Sequence, residues 1–219
     1  MHTGCGAAWL ARLSGGQEVG SSNLPSPTQC RGFLDSRSPR AAIPRTVNRV
    51  YDRDVVHLRS MTIDDVALLV RWDDDPDVAA ALGGRGVDWY DWSTELARNV
   101  PWRELLIVEE DGRPIGFVQL IDAVEEESHH WGDVEPGTWA LDIWIGSPDD
   151  RGRGLGTAAM EAALKRVVDR HGADTVVIDP SVDNHRAIAF YEQLGFERVG
   201  VRQFGDERCL VMVCARPAV

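Results

Sequence analysis

The sequence has no apolar run approaching the roughly 18 residues that a bilayer-spanning helix needs, so it offers no transmembrane segment. Its opening, "MHTGCGAAWLARLSGG", lacks a basic stretch followed by a long apolar one, and so does not read as a signal peptide. Cysteine is scarce: Cys5, Cys30, Cys209 and Cys214 show no C-x-x-C spacing, and no disulfide framework is suggested. The reducing cytoplasm is the compartment expected. Basic charge is also short, with 23 Lys and Arg against 35 Asp and Glu, a net charge of −12. A body this acidic repels nucleic acid and anionic lipid, so neither is expected as a partner, whereas a cationic ligand is attracted to it. The only basic part is residues 1–46, with five Arg against one Asp and one Glu. No internal repeat is present.

Residues 1–48 are rich in Gly, Ser, Pro and Arg and hold no sustained period of 2 or 3.6, which predicts a disordered N-terminal extension. Within it, "GGQEVGSSNLPSPT" resembles the conceptual translation of a tRNA gene, so a translation start nearer Val47 or Val50 is expected. Residues 49–219 read as one α/β domain. A strand at 55–60 leads into "MTIDDVALLVRW", where Thr62 and Asp65 form a capping-box start and Ile63, Val66, Leu69 and Val70 an apolar stripe. "WDDDPDVAAALGG" breaks this helix and allows a short second one, and "STELARNV" reads as a third. "ELLIVEE" and "IGFVQLID" flank an Asp-Gly turn as a hairpin. A long acidic and aromatic loop, residues 123–137, precedes the strand "TWALDIWIG". There Trp139, Leu141, Ile143 and Ile145 share one face, and Thr138, Ala140, Asp142 and Trp144 the other. A strong amphipathic helix, a strand ending at Pro180, the helix "NHRAIAFYEQLG" and two final strands complete the order.

Between "TWALDIWIG" and that amphipathic helix stands "DDRGRGLGTAAME". Glycines let successive backbone N–H groups approach a pyrophosphate, and the helix beginning near Leu155 adds the positive end of its dipole. Arg151 and Arg153 are placed to add charge-assisted bonds. No Lys-Ser/Thr pair follows the glycines, so this is not a Walker loop. The G-x-G-x-G spacing of Gly152, Gly154 and Gly156 also departs from the dinucleotide fingerprint.

Arg151-Gly152-Arg153-Gly154-Leu155-Gly156 resembles the acetyl-CoA signature of the GNAT superfamily of N-acyltransferases, and "NHRAIAFYEQLGF" resembles its second signature. The resemblance covers about residues 54–215. It implies the GNAT fold, an α/β domain with a mixed, mostly antiparallel sheet of six to seven strands flanked by about four helices. It further implies acetyl-CoA as co-substrate and no metal. The pyrophosphate would lie on Arg151 to Gly156 and Thr157, and the pantetheine along the main chain of Ile143, Trp144 and Ile145. Asn184 would face the cofactor arm, and Tyr191 would protonate the departing thiolate.

Within the superfamily, Met61-Thr62-Ile63-Asp64-Asp65, Glu135-Pro136-Gly137, Asp142 and Asp179-Pro180-Ser181-Val182-Asp183-Asn184 are similar to stretches of the aminoglycoside 6′-N-acetyltransferases. That likeness implies that Glu135, Asp142 and Asp179 hold the ammonium groups of an aminoglycoside, with Asp142 accepting the proton of the attacking amine. One departure is Ala81-Leu82-Gly83-Gly84, where better-known members carry an aromatic before the Gly-Gly, so one wall of the acceptor pocket is expected to differ.

Bland readings stand beside these. Asp142 lies mid-strand, where Asp is depleted, and a neighbouring Arg would satisfy it as well as an amine. Tyr191 fits core packing, Asp179 fits a helix cap, and Glu135 fits a solvated loop. His129 and His130 are adjacent, a poor chelate, and no metal is expected. Trp89, Trp92, Trp102 and Trp131 suit either a sugar-binding cleft or a core. Asp73, Asp74, Asp75 and Asp77, the Glu run at 125–127, Asp133 and Glu135 are expected to flank the acceptor cleft and steer a polycation to it. Two alternatives remain: another amine acceptor (a polyamine, a protein N-terminus or a siderophore precursor), or a non-catalytic acyl-CoA- or drug-binding module. A monomer or a homodimer is expected.

Overall fold

Seven strands form the centre of the protein in a computed structural model that describes residues 56–81, 91–205, 207–215 and 217. In chain order they are β1 (Val56–Ser60), β2 (Arg103–Glu110), β3 (Arg113–Asp122), β4 (Thr138–Ile145), β5 (Thr175–Ile178), β6 (Glu197–Phe204) and β7 (Glu207–Ala215). They lie in one sheet in the order β1-β2-β3-β4-β5-β7-β6. Every neighbouring pair is antiparallel except β4 with β5. The described α-helices are α1 (Val66–Asp73), α2 (Pro76–Ala81), α3 (Trp92–Arg98), α4 (Leu155–His171) and α5 (His185–Gln193). None is long and apolar enough to cross a membrane. The readings of residues 1–48, of a start near Val47 or Val50, of Leu82-Gly83-Gly84 and of Trp89 lie outside the described residues.

The helices begin and end where local chemistry directs. Thr62 N donates to Asp65 Oδ2 at 2.8 Å, closing the capping contact ahead of α1. Pro76 divides α1 from α2, and Asp75 Oδ1 caps the new helix by accepting from Asp77 N at 3.0 Å and Val78 N at 3.2 Å. Gly172, at φ 65°, ends α4 with its N–H on Val168 O at 2.9 Å.

The sheet has a packed layer on each face. Trp139, Leu141 and half-buried Ile143 and Ile145 of β4 meet Leu155, Ala159, Met160, Ala163, Leu164 and Val167 of α4, as the alternation predicts. Each large side chain fully buried here contributes about 1.5–3 kcal/mol. Ala140 and Trp144 turn to the opposite layer with Leu69, Trp72, Trp92 and Phe117. The α1 stripe differs from expectation: Ile63 is 62% exposed and Val70 40%, whereas Leu69 and Trp72 are buried. The reason is tertiary. The Trp72 indole lies directly over Gly146, where a Cβ would stand 2.1 Å from the ring, and burying that large side chain rotates α1.

The functional feature is a parting of strands. β4 and β5 pair only at Thr138↔Thr175, Trp139↔Val176 and Ala140↔Val177. β4 then stays with β3 as far as Gly116↔Ile145. The chain after β5 stays with β7 instead, through Leu210 N on Pro180 O at 2.8 Å and Val182 N on Arg208 O at 3.0 Å. Pro180 has no N–H to offer back to β4. Residues 141–145 are therefore left without a strand partner on one edge.

Candidate active site

Two carboxylates border the parting. Asp142 lies two residues beyond Ala140, and Asp179 two beyond Val177, so the register sets them level across the opening. Both stand on the tryptophan side of the sheet by alternation. Asp142 is opposite Gln119 of β3, and the Gln119 Nε2 donates to its Oδ2 at 3.2 Å. Burial drives the Asp142 carboxyl well above its ordinary range and the Asp179 charge adds to this, while the Gln119 bond opposes them. Asp179 is buried and shares a 2.8 Å hydrogen bond with His130 Nε2.

Tyr191 comes from the other side of the sheet. It sits on α5, its ring 5.4 Å from Phe190 and 5.7 Å from Phe196, packed into the α4 layer. Its hydroxyl makes no hydrogen bond among the described residues. Burial raises its phenol, and the charges of Asp142 and Asp179 raise it further, so it is held protonated. The opening thus joins two sides: carboxylates on one, a phenol and the glycine loop on the other.

In that loop Gly152 has φ 74° and Gly154 φ 86°, which favour glycine, and α4 starts immediately afterwards. The N–H groups of residues 152–157 find no acceptor among the described residues. They gather at the N-terminus of a 17-residue helix, and Thr157 is half-buried in its first turn. That arrangement suits an anion with several oxygens.

The arginine side chains are placed otherwise than expected. Arg151 donates to Asp75 at 2.7 Å, Asp77 at 2.8 Å, Ile145 O at 3.1 Å and Gly146 O at 2.8 Å. Arg153 binds Glu110 at 2.8 Å and Asp150 at 2.9 Å. Both guanidiniums brace the loop, and the loop presents its backbone.

Along the open edge, the Ile143 and Ile145 side chains go to the α4 layer. The Trp144 side chain packs on Phe117 at 4.5 Å and Trp92 at 6.0 Å. The main chain of these three residues faces the gap. Asn184 caps α5, its Oδ1 accepting from Ala187 N at 3.0 Å. Glu135 is not brought to the carboxylate pair. It is exposed in the turn before β4, with the rise from Thr138 to Asp142, about 13 Å, in between.

Other expected acceptor-side groups also have partners. Trp92, Trp102 and Trp131 are core residues. Asp73 accepts from Trp92 Nε1 at 2.7 Å, and burial pushes its carboxyl up to about 6. Asp75 and Asp77 hold Arg151, and Glu127 pairs with Arg98 at 2.9 Å. Glu126 is buried and accepts from the N–H groups of Ser128 and His130. His130, weighed in the sequence only as one of two adjacent histidines and a poor chelate, is the residue whose partner sequence reasoning did not supply.

A mixed sheet whose β4 and β5 part beside a glycine loop at a helix start is the architecture of an acyl-CoA-dependent transferase. The family model for an acetyltransferase (GNAT) domain matches residues 62–204. The chain belongs to the GNAT acetyltransferase family and is an acetyl-CoA-dependent N-acetyltransferase. It is 30% identical over 171 residues to an aminoglycoside N(6′)-acetyltransferase type 1 of Klebsiella pneumoniae, covering 75% of this chain and 85% of that one. Among solved structures it is similar to AAC(6′)-Ib with acetyl-CoA, at TM-score 0.65 and 28% identity over 74% of this chain and 94% of that one. It is likewise similar to AAC(6′)-Ib with coenzyme A and kanamycin, at TM-score 0.64 and 27% identity over 74% and 95%.

Proposed function

We propose that the protein transfers the acetyl group of acetyl-CoA to the 6′-amine of an aminoglycoside, in a ternary complex and without a covalent enzyme intermediate. The observation that carries this reading is the level pair Asp142 and Asp179 at the parting of β4 and β5, with Tyr191 behind them. Kinship with the aminoglycoside acetyltransferases supports the acceptor class. The backbone N–H groups of residues 152–157 bind the pyrophosphate, with Arg151 and Arg153 holding the loop in shape. The open main chain of Ile143, Trp144 and Ile145 and the Asn184 amide hold the pantetheine arm.

A primary amine is mostly protonated at neutral pH and cannot attack in that form. Asp142, whose carboxyl is raised by its surroundings, is matched to take that proton, while Asp179 keeps hold of the cation. The amine nitrogen then bonds to the thioester carbon as the C–S bond breaks. Tyr191 donates from its hydroxyl to the departing sulfur, and the second proton, shed by the nitrogen as the amide forms, restores the phenol. Because the Asp142 charge is one cause of the raised phenol, protonating Asp142 makes Tyr191 a better donor at the moment it is needed. Glu135, exposed in the turn before β4, binds an ammonium group of the acceptor farther from the reacting amine and adds to the field that draws in a polycation. The reading implies a cytoplasmic protein, monomer or homodimer, with no nucleic-acid partner.

The test is CoA-thiol release with kanamycin or tobramycin, with spermidine and a peptide amine as comparison acceptors. Turnover confined to the aminoglycosides is expected. Release with the peptide alone would refute the reading, and release with none would point to a binding module.

A further inference from the structure

We propose that His130 is a positioning residue: its Nε2–H, bonded to Asp179, fixes the orientation of that carboxylate, so that Asp179 holds the acceptor's cation while Asp142 exchanges the proton. The inference rests on the reading that a cationic amine enters the gap between β4 and β5.

The contact is built rather than incidental. The His130 and Asp179 side chains are 1% and 4% exposed. The imidazole stacks on Phe204 at 4.1 Å and 16°, and meets Trp131 edge-on at 4.6 Å. Its backbone N–H is held by Glu126 Oε2 at 3.0 Å, and Arg202 holds the carbonyl of Trp131 at 2.9 Å. A ring fixed from both sides and along the chain has one direction in which to donate.

Its protonation follows from the partners. His130 Nδ1 is buried and has no hydrogen-bond partner among the described residues. A neutral ring protonated on Nε2 leaves only a lone pair dry at Nδ1. The other tautomer would point a lone pair at the carboxylate and bury an unpaired N–H, at greater cost. The ring therefore donates to Asp179 Oδ2, and the second oxygen of Asp179 is left for the acceptor.

That bond breaks a symmetry. Two carboxylates that face the same opening are made unlike when a fixed donor is bonded to only one of them at short range. The groups facing this pair are Tyr191 from α5 and Gln119 from β3. His130 gives Asp179 a buried N–H donor, whereas Asp142 has the longer bond from the Gln119 amide. The two acids are thereby given different tasks.

The experiment is a mutant cycle with His130→Phe, which keeps a flat ring and removes the donor, His130→Gln, which restores one, Asp179→Asn, and the His130→Phe/Asp179→Asn double variant. Each is assayed for KM of acceptor and of acetyl-CoA. The acceptor is kanamycin, or spermidine if kanamycin is not turned over, so that failure of the aminoglycoside reading is seen in the wild type and separately. His130→Phe is expected to raise acceptor KM about tenfold, the scale of a lost bond to a charged group, with acetyl-CoA KM within about twofold. His130→Gln should recover most of this loss. The double variant should be no worse than Asp179→Asn alone. Additive losses, or equal rises in both KM values, would overturn the inference. Long-range 1H–15N correlation of the wild-type imidazoles needs neither turnover nor a folded variant. A proton on Nε2 is expected, and a ring protonated on Nδ1 alone would overturn the positioning role whatever the acceptor.

Discussion

Arg151→Ala separates two jobs open to an arginine in a phosphate-binding loop, gripping the phosphate or bracing the loop. In the structure its guanidinium makes two bonds to carbonyls, Ile145 O and Gly146 O, and two to carboxylates. The Asp77 side chain is 72% exposed, so that pair adds almost nothing. The Asp75 pair is largely shielded, with side chains 14% and 16% exposed. Two carbonyl bonds to a charged donor and one shielded pair together suggest a loss of about 2–4 kcal/mol. At about 2–4 °C per kcal/mol for a domain of this size, Tm should fall by about 4–16 °C. Burial pushes the Asp75 carboxyl up, but Arg151 and the N–H groups of Val78 and Asp77 together hold it below its ordinary value. Stability from a lowered carboxyl is present above that value and is lost as pH falls through the folded one. The gap between wild type and variant should therefore be full at pH 7 and narrow in acid, below about pH 4. Thermal melts across pH, with KM for acetyl-CoA at pH 7, provide the assay. An unchanged Tm with a KM raised more than tenfold would refute the bracing role, and would return the guanidinium to the pyrophosphate.

Three further outcomes follow from the same geometry. Tyr191→Phe should lower kcat by about 100–1000-fold, the scale of a lost transition-state donor, with little change in acetyl-CoA affinity; equal losses in both would show that the ring only packs. Gly146→Ala puts a methyl group 2.1 Å from the Trp72 ring and should cost about 3 kcal/mol in urea unfolding, and a neutral result would mean that α1 is free to shift. Asp73→Asn keeps an acceptor for Trp92 Nε1 and removes a carboxyl that burial has pushed up to about 6. A raised acid weakens the fold as pH climbs from its unfolded value through its folded one. The variant should thus be the more stable protein above pH 6, by on the order of 2–3 kcal/mol, and not below pH 4. A stability gain independent of pH would contradict this account.

Much of the fold could be read from the chain because its signals are local. Alternation in "TWALDIWI" separated the two faces of β4, and the structure keeps that division. The Thr62–Asp65 cap stands where the residue types placed it. The glycine loop and "NHRAIAFYEQLGF" identified the family, because an anion seat at a helix start is written in consecutive residues. The α1 face was misread for a reason the local pattern does not contain: Trp72 needed Gly146, and only the folded sheet brings them together.

What the amino-acid order determined by itself was therefore the backbone: element types, their caps, the two faces of β4 and the donor loop. What tertiary structure decided was the partner of each charge. The acids that hold Arg151 lie more than 70 residues away in the chain, and His130 meets Asp179 across 49. No period or spacing reports such pairs, because they depend on which strands lie side by side. The site itself exists because β5 leaves β4 after Ala140 to follow β7, so that two aspartates facing the same way come to border an opening.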